Sequence, residues 1–247
     1  TVESLIKREQ LLPLFKKAGL ERVIVGIESA SPSALLAFNK KSTVEQHYLV
    51  ANILAQHDII LQLGFMMFYP YSSADDLRRN AEFLNNINQA CFFQHFSNRM
   101  ELYPGVAIFK RLDHEDMILS KAEYKKAFLY RYAEPNIGRL ARSLSPVRRK
   151  TVNLGRYLLD MDIWVSRHKG KASNRNLIET YTGLRDKFSS KNMEFFLRSV
   201  ELSESEWDPE AFEELKAEYL DALEKLSKAL RAIADGSSLK TWDVGTP

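Results

Sequence analysis

Apolar positions along the chain fall into two regimes. Up to about residue 112, short continuous runs of β-branched and aromatic residues alternate with amphipathic stretches; beyond it, apolar residues recur every three or four positions. Residues 9–18 (EQLLPLFKKA) predict a helix carrying Leu11, Leu12, Leu14 and Phe15, with Pro13 near its first turn and Gly19 as its stop. Val23, Ile24, Val25 and Ile27 follow as a short continuous run, the pattern of a parallel strand covered on both faces. It ends at Ser29-Ala30-Ser31. Pro32 opens a short helix to Phe38, and Thr43 with Gln46 three residues on predicts a capped helix to about His57. A second strand is expected over 59–68, stopping at Tyr69-Pro70-Tyr71, after which Ser72 to Asp76 cap a helix to about Asn88. A third strand is expected over 91–103, interrupted by Gln94, His95, Ser97, Asn98, Arg99 and Glu101 and closed by Pro104-Gly105. The order is strand, helix, strand, helix, strand, helix, with crossovers that suit right-handed parallel pairing.

After Leu112 no further strand-length β-branched run occurs, and a mostly helical second domain is expected. Its clearest helix starts at Trp207-Asp208-Pro209-Glu210, continues through Phe212, Leu215, Tyr219, Leu223 and Leu230, and stops at Gly236. Its polar face is mainly acidic, so it is expected to pack on its own domain and not on a membrane. The division is therefore 1–112, 113–236 and a tail over 237–247. Basic clusters stand at 148–150 and 166–171, the second in an expected loop; a charge run is ordinarily a solvated face.

Composition narrows the class. With 45% hydrophobic and 27% charged residues among 247, the chain can bury a core, and global disorder is excluded. A net charge of +3, from 35 basic and 32 acidic residues, gives no case for nucleic-acid binding. The apolar stretch near residues 59–71 is broken by Gln62, Gly64 and Pro70 and is too short to span a membrane. One cysteine, Cys91, excludes an internal disulfide and any cysteine cage built by this chain alone, and fits a reducing, cytoplasmic compartment. The first residue is Thr, and an N-terminal segment upstream of it is expected.

Ligands of α/β folds with parallel strands sit at the strands' C-terminal ends, which directs attention to residues 26–31, 68–73 and 103–106. Glu28 is the acid at the first of these ends, directly after an apolar run, where a carboxylate needs donors. It reads either as a ligand contact or as a solvated loop acid. Tyr69, Tyr71 and Tyr103 read either as substrate contacts or as strand-end tyrosines straddling core and water. Phe65, Met66, Met67 and Phe68 read first as core. Cys91 reads as a buried small apolar residue. His95, Arg99 and Glu101 alternate along the third expected strand and would share a face open to substrate.

Three segments carry a specific resemblance. They are residues 18–32 (AGLERVIVGIESASP) with Asn39-Lys40 and Thr43-Val44-Glu45, residues 63–73 (LGFMMFYPYSS), and residues 101–106 (ELYPGV). Together they resemble the second half of the radical S-adenosylmethionine enzyme core, and most closely the subgroup with an N-terminal cobalamin-binding domain. The resemblance implies a partial (β/α) barrel, of which this chain holds about three strands. It implies S-adenosylmethionine and a [4Fe-4S] cluster as cofactors, cobalamin as a further one, and radical methylation or rearrangement of a small-molecule, natural-product or peptide substrate. It places Glu28 and Ser29 near the ribose and amino-acid part of the cofactor, Gly64 and Phe65 near its methionyl or adenine side, and Pro104, Gly105 and Val106 near its adenine. Tyr69, Tyr71, His95, Arg99 and Glu101 are its candidate substrate contacts.

The family's CxxxCxxC cluster loop is absent from the sequence, and Cys91 alone cannot hold a cluster. The resemblance therefore implies an N-terminal half or a partner chain that carries those cysteines. A second reading is a cluster-free scaffold that binds a peptide or partner protein. A third, a phosphate-binding barrel enzyme, lacks a Gly-rich loop before a helix.

Overall fold

The computed structural model describes residues 1–120 and 128–235; the tail over 237–247 and its Gly236 stop lie outside the described residues. The expected first helix is split. α1 (Val2–Lys7), capped by the Thr1 hydroxyl, is followed by a 3₁₀ turn at Glu9–Leu11, and Pro13 sits in the first turn of α2 (Leu12–Lys17), where its missing N–H leaves no bond unmade. Then come β1 (Arg22–Glu28), α3 (Pro32–Ala37), α4 (Val44–Gln56), β2 (Ile60–Phe65) and α5 (Ala74–Asn86). Ser31 caps α3, and the expected caps of the longer helices form complete boxes, Thr43 with Gln46 on α4 and Ser73 with Asp76 on α5.

β1 and β2 pair in parallel, Arg22 opposite Ile60 and Gly26 opposite Gly64, with a register shift before Glu28 meets Phe65. The expectation that β1 is covered on both faces is corrected. Val25, Ile27, Leu61, Leu63 and Phe65 are buried, whereas Ile24 is 69% exposed and Gly26 is exposed on the opposite face. Period-two alternation with one buried side describes this sheet better than a continuous apolar run.

The third expected strand is also corrected. Residues 94–97 form a short helix, α6 (Gln94–Ser97), and only a bridge between Phe68 and Arg99 continues the sheet beyond β2. Phe92, Phe93 and Phe96 are spaced three and four apart, a helical period, and Phe93 and Phe96 pack on Phe195 and Phe196. His95, Arg99 and Glu101 therefore do not share a strand face. Past α7 (Ala107–His114), the stretch expected to be helical contains an antiparallel pair, β3 (Ile118–Ser120) with β4 (Leu129–Tyr130), and Phe128 bridges to Leu102.

Three long helices complete the described chain: α8 (Pro135–His168), α9 (Arg175–Glu204) and α10 (Pro209–Asp235). One apolar core runs from β1 and β2 through α5 into these helices, and a smaller one gathers Tyr69, Met100, Leu102, Ile108 and Leu112. Buried polar ties fix the layers. Asn192 on α9 donates to the Ala90 and Cys91 carbonyls at 2.8 and 3.0 Å and accepts from the Tyr219 hydroxyl at 2.7 Å. Arg185 on α9 stands 3.2 Å from the Asp162 carboxylate of α8 and donates to the Asn88 carbonyl at 2.7 Å. The basic cluster at 166–171 is only half a loop: Ser166 to His168 finish α8, and Lys169 to Lys171 turn out of it; Arg167 is paired bidentately with Glu21, and Lys169 with Asp58. No helix among the described residues is long and apolar enough to cross a membrane.

Candidate functional site

The open face of the β1/β2 sheet has a floor without side chains. A Cβ added at Gly64 would lie 3.2 Å from the Gly26 Cα, and one added at Gly26 would lie 2.7 Å from a Glu28 carboxylate oxygen. Both positions must stay bare for the strands and the carboxylate to sit as they do. Glu28 closes β1 in the left-handed region, φ 68°, an arrangement an L-residue adopts only when its surroundings impose it. Two contacts impose it here. Its carbonyl accepts from the Met66 N–H at 2.7 Å, and its carboxylate accepts from the Lys40 ammonium at 2.9 Å. The turn swings the carboxylate over the glycine floor beside Lys40, so one anion and one cation overhang a flat, side-chain-free patch.

Ser29 points the other way. Fully buried, its hydroxyl donates to Asn80 Oδ1 at 2.9 Å; the Ala30 N–H donates to the same oxygen at 2.7 Å, and the Ser31 N–H donates to Ser29 Oγ at 3.1 Å. Asp76 gathers the Ser31 and Ser33 hydroxyls on one oxygen and the Ser73 N–H on the other. Asn80 and Asp76 thus lock the loop after β1 to the start of α5. Neither stood among the expected site residues. The signal for Asn80 was a polar residue inside the apolar stripe Leu77, Ala81 and Leu84 of one helix face.

His47 backs the same loop. It is fully buried, its Nε2 is 2.8 Å from Ser42 Oγ, and its ring meets Phe83 edge-on. Burial holds its imidazole down at about 4, against the opposing pull of the Ser29 backbone.

The remaining expected site residues separate. Phe65 turns its ring to the helical side, stacked on Phe83 and edge-on to His95, away from the glycine floor. His95 lies on α6, buried between Phe65 and Phe92, its imidazole also pushed down to about 4 by burial. Tyr69 is buried, with its hydroxyl donating to Ser33 Oγ at 3.3 Å. Tyr71 donates to Glu115 at 2.6 Å beneath the Arg111 guanidinium, and burial with that bond pushes its phenol up to about 12. Arg99 and Glu101 are exposed, and Tyr103 donates to Glu101. Pro104, Gly105 and Val106 form an exposed turn into α7, with Gly105 at φ 88°. Cys91 is 2% exposed, and burial pushes its thiol up to about 12, which leaves it inert.

The cofactors implied by the resemblance fit unequally. The bare floor, the Glu28 acceptor and the Lys40 donor suit a flat ligand carrying hydroxyl, ammonium and carboxylate groups, as S-adenosylmethionine does. An iron-sulfur cluster does not fit this chain: its one cysteine is buried, and no group of three or more His, Cys, Asp or Glu residues that could hold a metal occurs among the described residues. His47 and His95 are buried, so these two imidazoles do not fit an axial ligand for cobalamin either.

The chain superposes over 98% of its length on 42% of OxsB, a cobalamin-dependent S-adenosylmethionine radical enzyme with aqua-cobalamin bound, at a TM-score of 0.65 and 13% identity. The apo, selenomethionine-labelled OxsB gives a TM-score of 0.62 at 14% identity, with the same coverage. In sequence the chain is 31% identical over 87 residues to the anaerobic magnesium-protoporphyrin IX monomethyl ester cyclase of Rubrivivax gelatinosus, covering 35% of this chain and 16% of that protein. It is 34% identical over 68 residues to the 4'-phospho-dehydrooxetanocin synthase of Priestia megaterium, covering 27% of this chain and 9% of that protein. No profile of a known protein family matches. The resemblance to radical S-adenosylmethionine enzymes, with a cobalamin-dependent member among the structural neighbours, is borne out. The chain spans under half the length of each of these relatives.

Proposed function

We propose that this chain is the S-adenosylmethionine-binding second half of a radical enzyme core, a partial (β/α) barrel over residues 1–112 followed by a mostly helical domain over 113–236 that also holds the β3/β4 pair. The observation that carries the proposal is the paired Gly26/Gly64 floor beneath Glu28, on a sheet face left open, among the described residues, beside the unpaired outer edge of β1. Ile24 is exposed on that face, and Leu14 is 63% exposed on α2. An exposed apolar face beside an unpaired strand edge calls for a covering element. In this reading the cover is the first half of the barrel, which also carries the cluster cysteines, supplied by the N-terminal part of the protein or by a partner chain. Glu28 and Lys40 hold the polar ends of S-adenosylmethionine, and the glycines let its flat parts approach the backbone. Bound, the cofactor supplies the 5′-deoxyadenosyl radical of such enzymes, used for methylation or rearrangement of a small molecule or peptide in the cytoplasm. Cobalamin enters through the sequence resemblance and through OxsB, and in this reading its seat lies in the N-terminal part of the protein. Buried, inert Cys91 favours one further reading, a cluster-free scaffold that presents the open face to a peptide or protein.

Intact mass of the natively purified protein, with anaerobic iron and sulfide analysis, separates the two. A larger chain or a co-purifying partner with about four iron and four sulfide per complex supports the enzyme. The chain alone, free of iron after anaerobic reconstitution, overturns it in favour of the scaffold.

A further inference from the structure

Charge gathers a second time where the chain passes beyond β2. Arg99, bridged to Phe68, is exposed, and the Met100 carbonyl next to it accepts from the Tyr130 hydroxyl at 2.8 Å. The rings of Tyr130 and Tyr132 stand 5.4 Å apart, centroid to centroid. Tyr132 in turn packs against Gly138 of α8, where an added Cβ would meet its ring at 2.9 Å. Arg142, also exposed, lies four residues further along α8, on the face of that glycine.

Two features of this cluster cost stability. A glycine inside a helix loses more backbone freedom on folding than any other residue. The Tyr132 hydroxyl is shut off from solvent without a hydrogen-bond partner, since Tyr130 spends its proton on Met100. The charge is also one-sided. Among the described residues no carboxylate pairs with Arg99 or Arg142, and these two guanidiniums are the charges that act on the Tyr132 phenol, against the upward push of burial. Glu101, the acid closest to Arg99 in sequence, accepts from Tyr103 instead.

We propose that Arg99, Arg142 and the Tyr132 hydroxyl form a seat for a phosphate group carried by the substrate. A phosphate monoester brings two negative charges to two forked donors, and an oxygen acceptor to the orphaned phenol. The seat flanks β2 on the side away from β1, two strand spacings or about 10 Å across the sheet from Glu28. A substrate anchored there by its phosphate would extend its body toward the glycine floor. That the phosphate belongs to a substrate rests on the proposed function; the seat itself rests on these residues alone.

Isothermal titration of phenyl phosphate into the natively purified protein tests the seat, with benzoate as a carboxylate probe and S-adenosylmethionine binding followed on the same samples. The expected result is one saturable phenyl phosphate site per chain, weakened at least tenfold by Arg142→Gln and at least threefold by Tyr132→Phe, with S-adenosylmethionine binding unchanged by Arg142→Gln. Tyr132→Phe removes only an orphaned hydroxyl, so its thermal midpoint without ligand should hold or rise. A fall in that midpoint would show that the hydroxyl already has a partner, and overturns the proposal, as does equal binding by Arg142→Gln. Benzoate bound as tightly as phenyl phosphate overturns phosphate in favour of a carboxylate. No phenyl phosphate binding by a protein that binds S-adenosylmethionine overturns the seat alone; phenyl phosphate binding without S-adenosylmethionine binding upholds the seat and overturns the proposed function. Should Arg142→Gln fail to fold, Arg99→Gln, on an exposed side chain, carries the same tenfold expectation.

Discussion

Replacing Asn192 by leucine should unlock the layer that separates the strands from the helical domain. Asn192 is 1% exposed and makes three hydrogen bonds of 2.7 to 3.0 Å: two to the Ala90 and Cys91 carbonyls and one from the Tyr219 hydroxyl. Leucine keeps most of the volume but strands two carbonyls and one hydroxyl in a buried layer. Each orphaned group is worth about 1–3 kcal/mol, and partial relaxation makes about 3–5 kcal/mol a reasonable sum. Urea unfolding followed by circular dichroism measures that loss as a lower midpoint at unchanged slope. Cys91 gives a local readout: buried and inert in the native protein, its thiol should react with an aromatic disulfide reagent about 10²- to 10³-fold faster in the variant, at about 1.4 kcal/mol per decade of opening. If Asn192→Leu proves too unstable to purify, Tyr219→Phe removes one of the three bonds and should lose about 1–2 kcal/mol. A loss below 1 kcal/mol in Asn192→Leu with unchanged Cys91 reactivity would refute the reasoning.

Glu28→Gly should raise the unfolding midpoint, because glycine relieves about 1 kcal/mol of left-handed strain at φ 68°, while weakening S-adenosylmethionine binding; a variant losing both stability and binding would mark Glu28 as structural. Gly64→Ala should lose about 1–3 kcal/mol, since its Cβ meets the Gly26 Cα at 3.2 Å and only the strands can give way. Gly155→Ala should be rescued by Gln94→Ala, because the new Cβ would lie 2.1 Å from the Gln94 amide; a double variant no better than the single would contradict that clash. His47 and His95 are both held at about 4 by burial, against 6.5 when unfolded. Between those values the unfolded chain binds protons that the folded one refuses. Stability is therefore full above pH 6.5 and falls as pH drops toward 4, by up to about 1.4 kcal/mol per pH unit for each histidine. Urea midpoints at pH 7.5 and 5 check this, and His95→Phe should halve the slope.

What could be read from the sequence was set by local chemistry. Thr43 with Gln46 and Ser73 with Asp76 announced their helices because a cap is decided within four residues. Glu28 stood out because an acid ending an apolar run must meet donors, and it meets Lys40. The errors share one physical cause, dependence on distant partners. Residues 91–98 look strand-like until Phe93 and Phe96 find α9, and Ile24 looks buried although none of the described elements covers its face. The ion pairs of Arg167 and Lys169 with Glu21 and Asp58 span more than a hundred residues and left no trace in local pattern. Asn80 and His47, which hold the loop after β1 from behind, were legible only as polar residues on apolar helix faces.

Equilibrium dialysis of radiolabelled S-adenosylmethionine against the natively purified protein, unaltered and with Glu28→Gly, tests the central claim most directly. Saturable binding of one molecule per chain, weakened at least tenfold by Glu28→Gly in a protein no less stable, is the result this account predicts. No saturable binding by the unaltered protein, or equal binding by the variant, would contradict it.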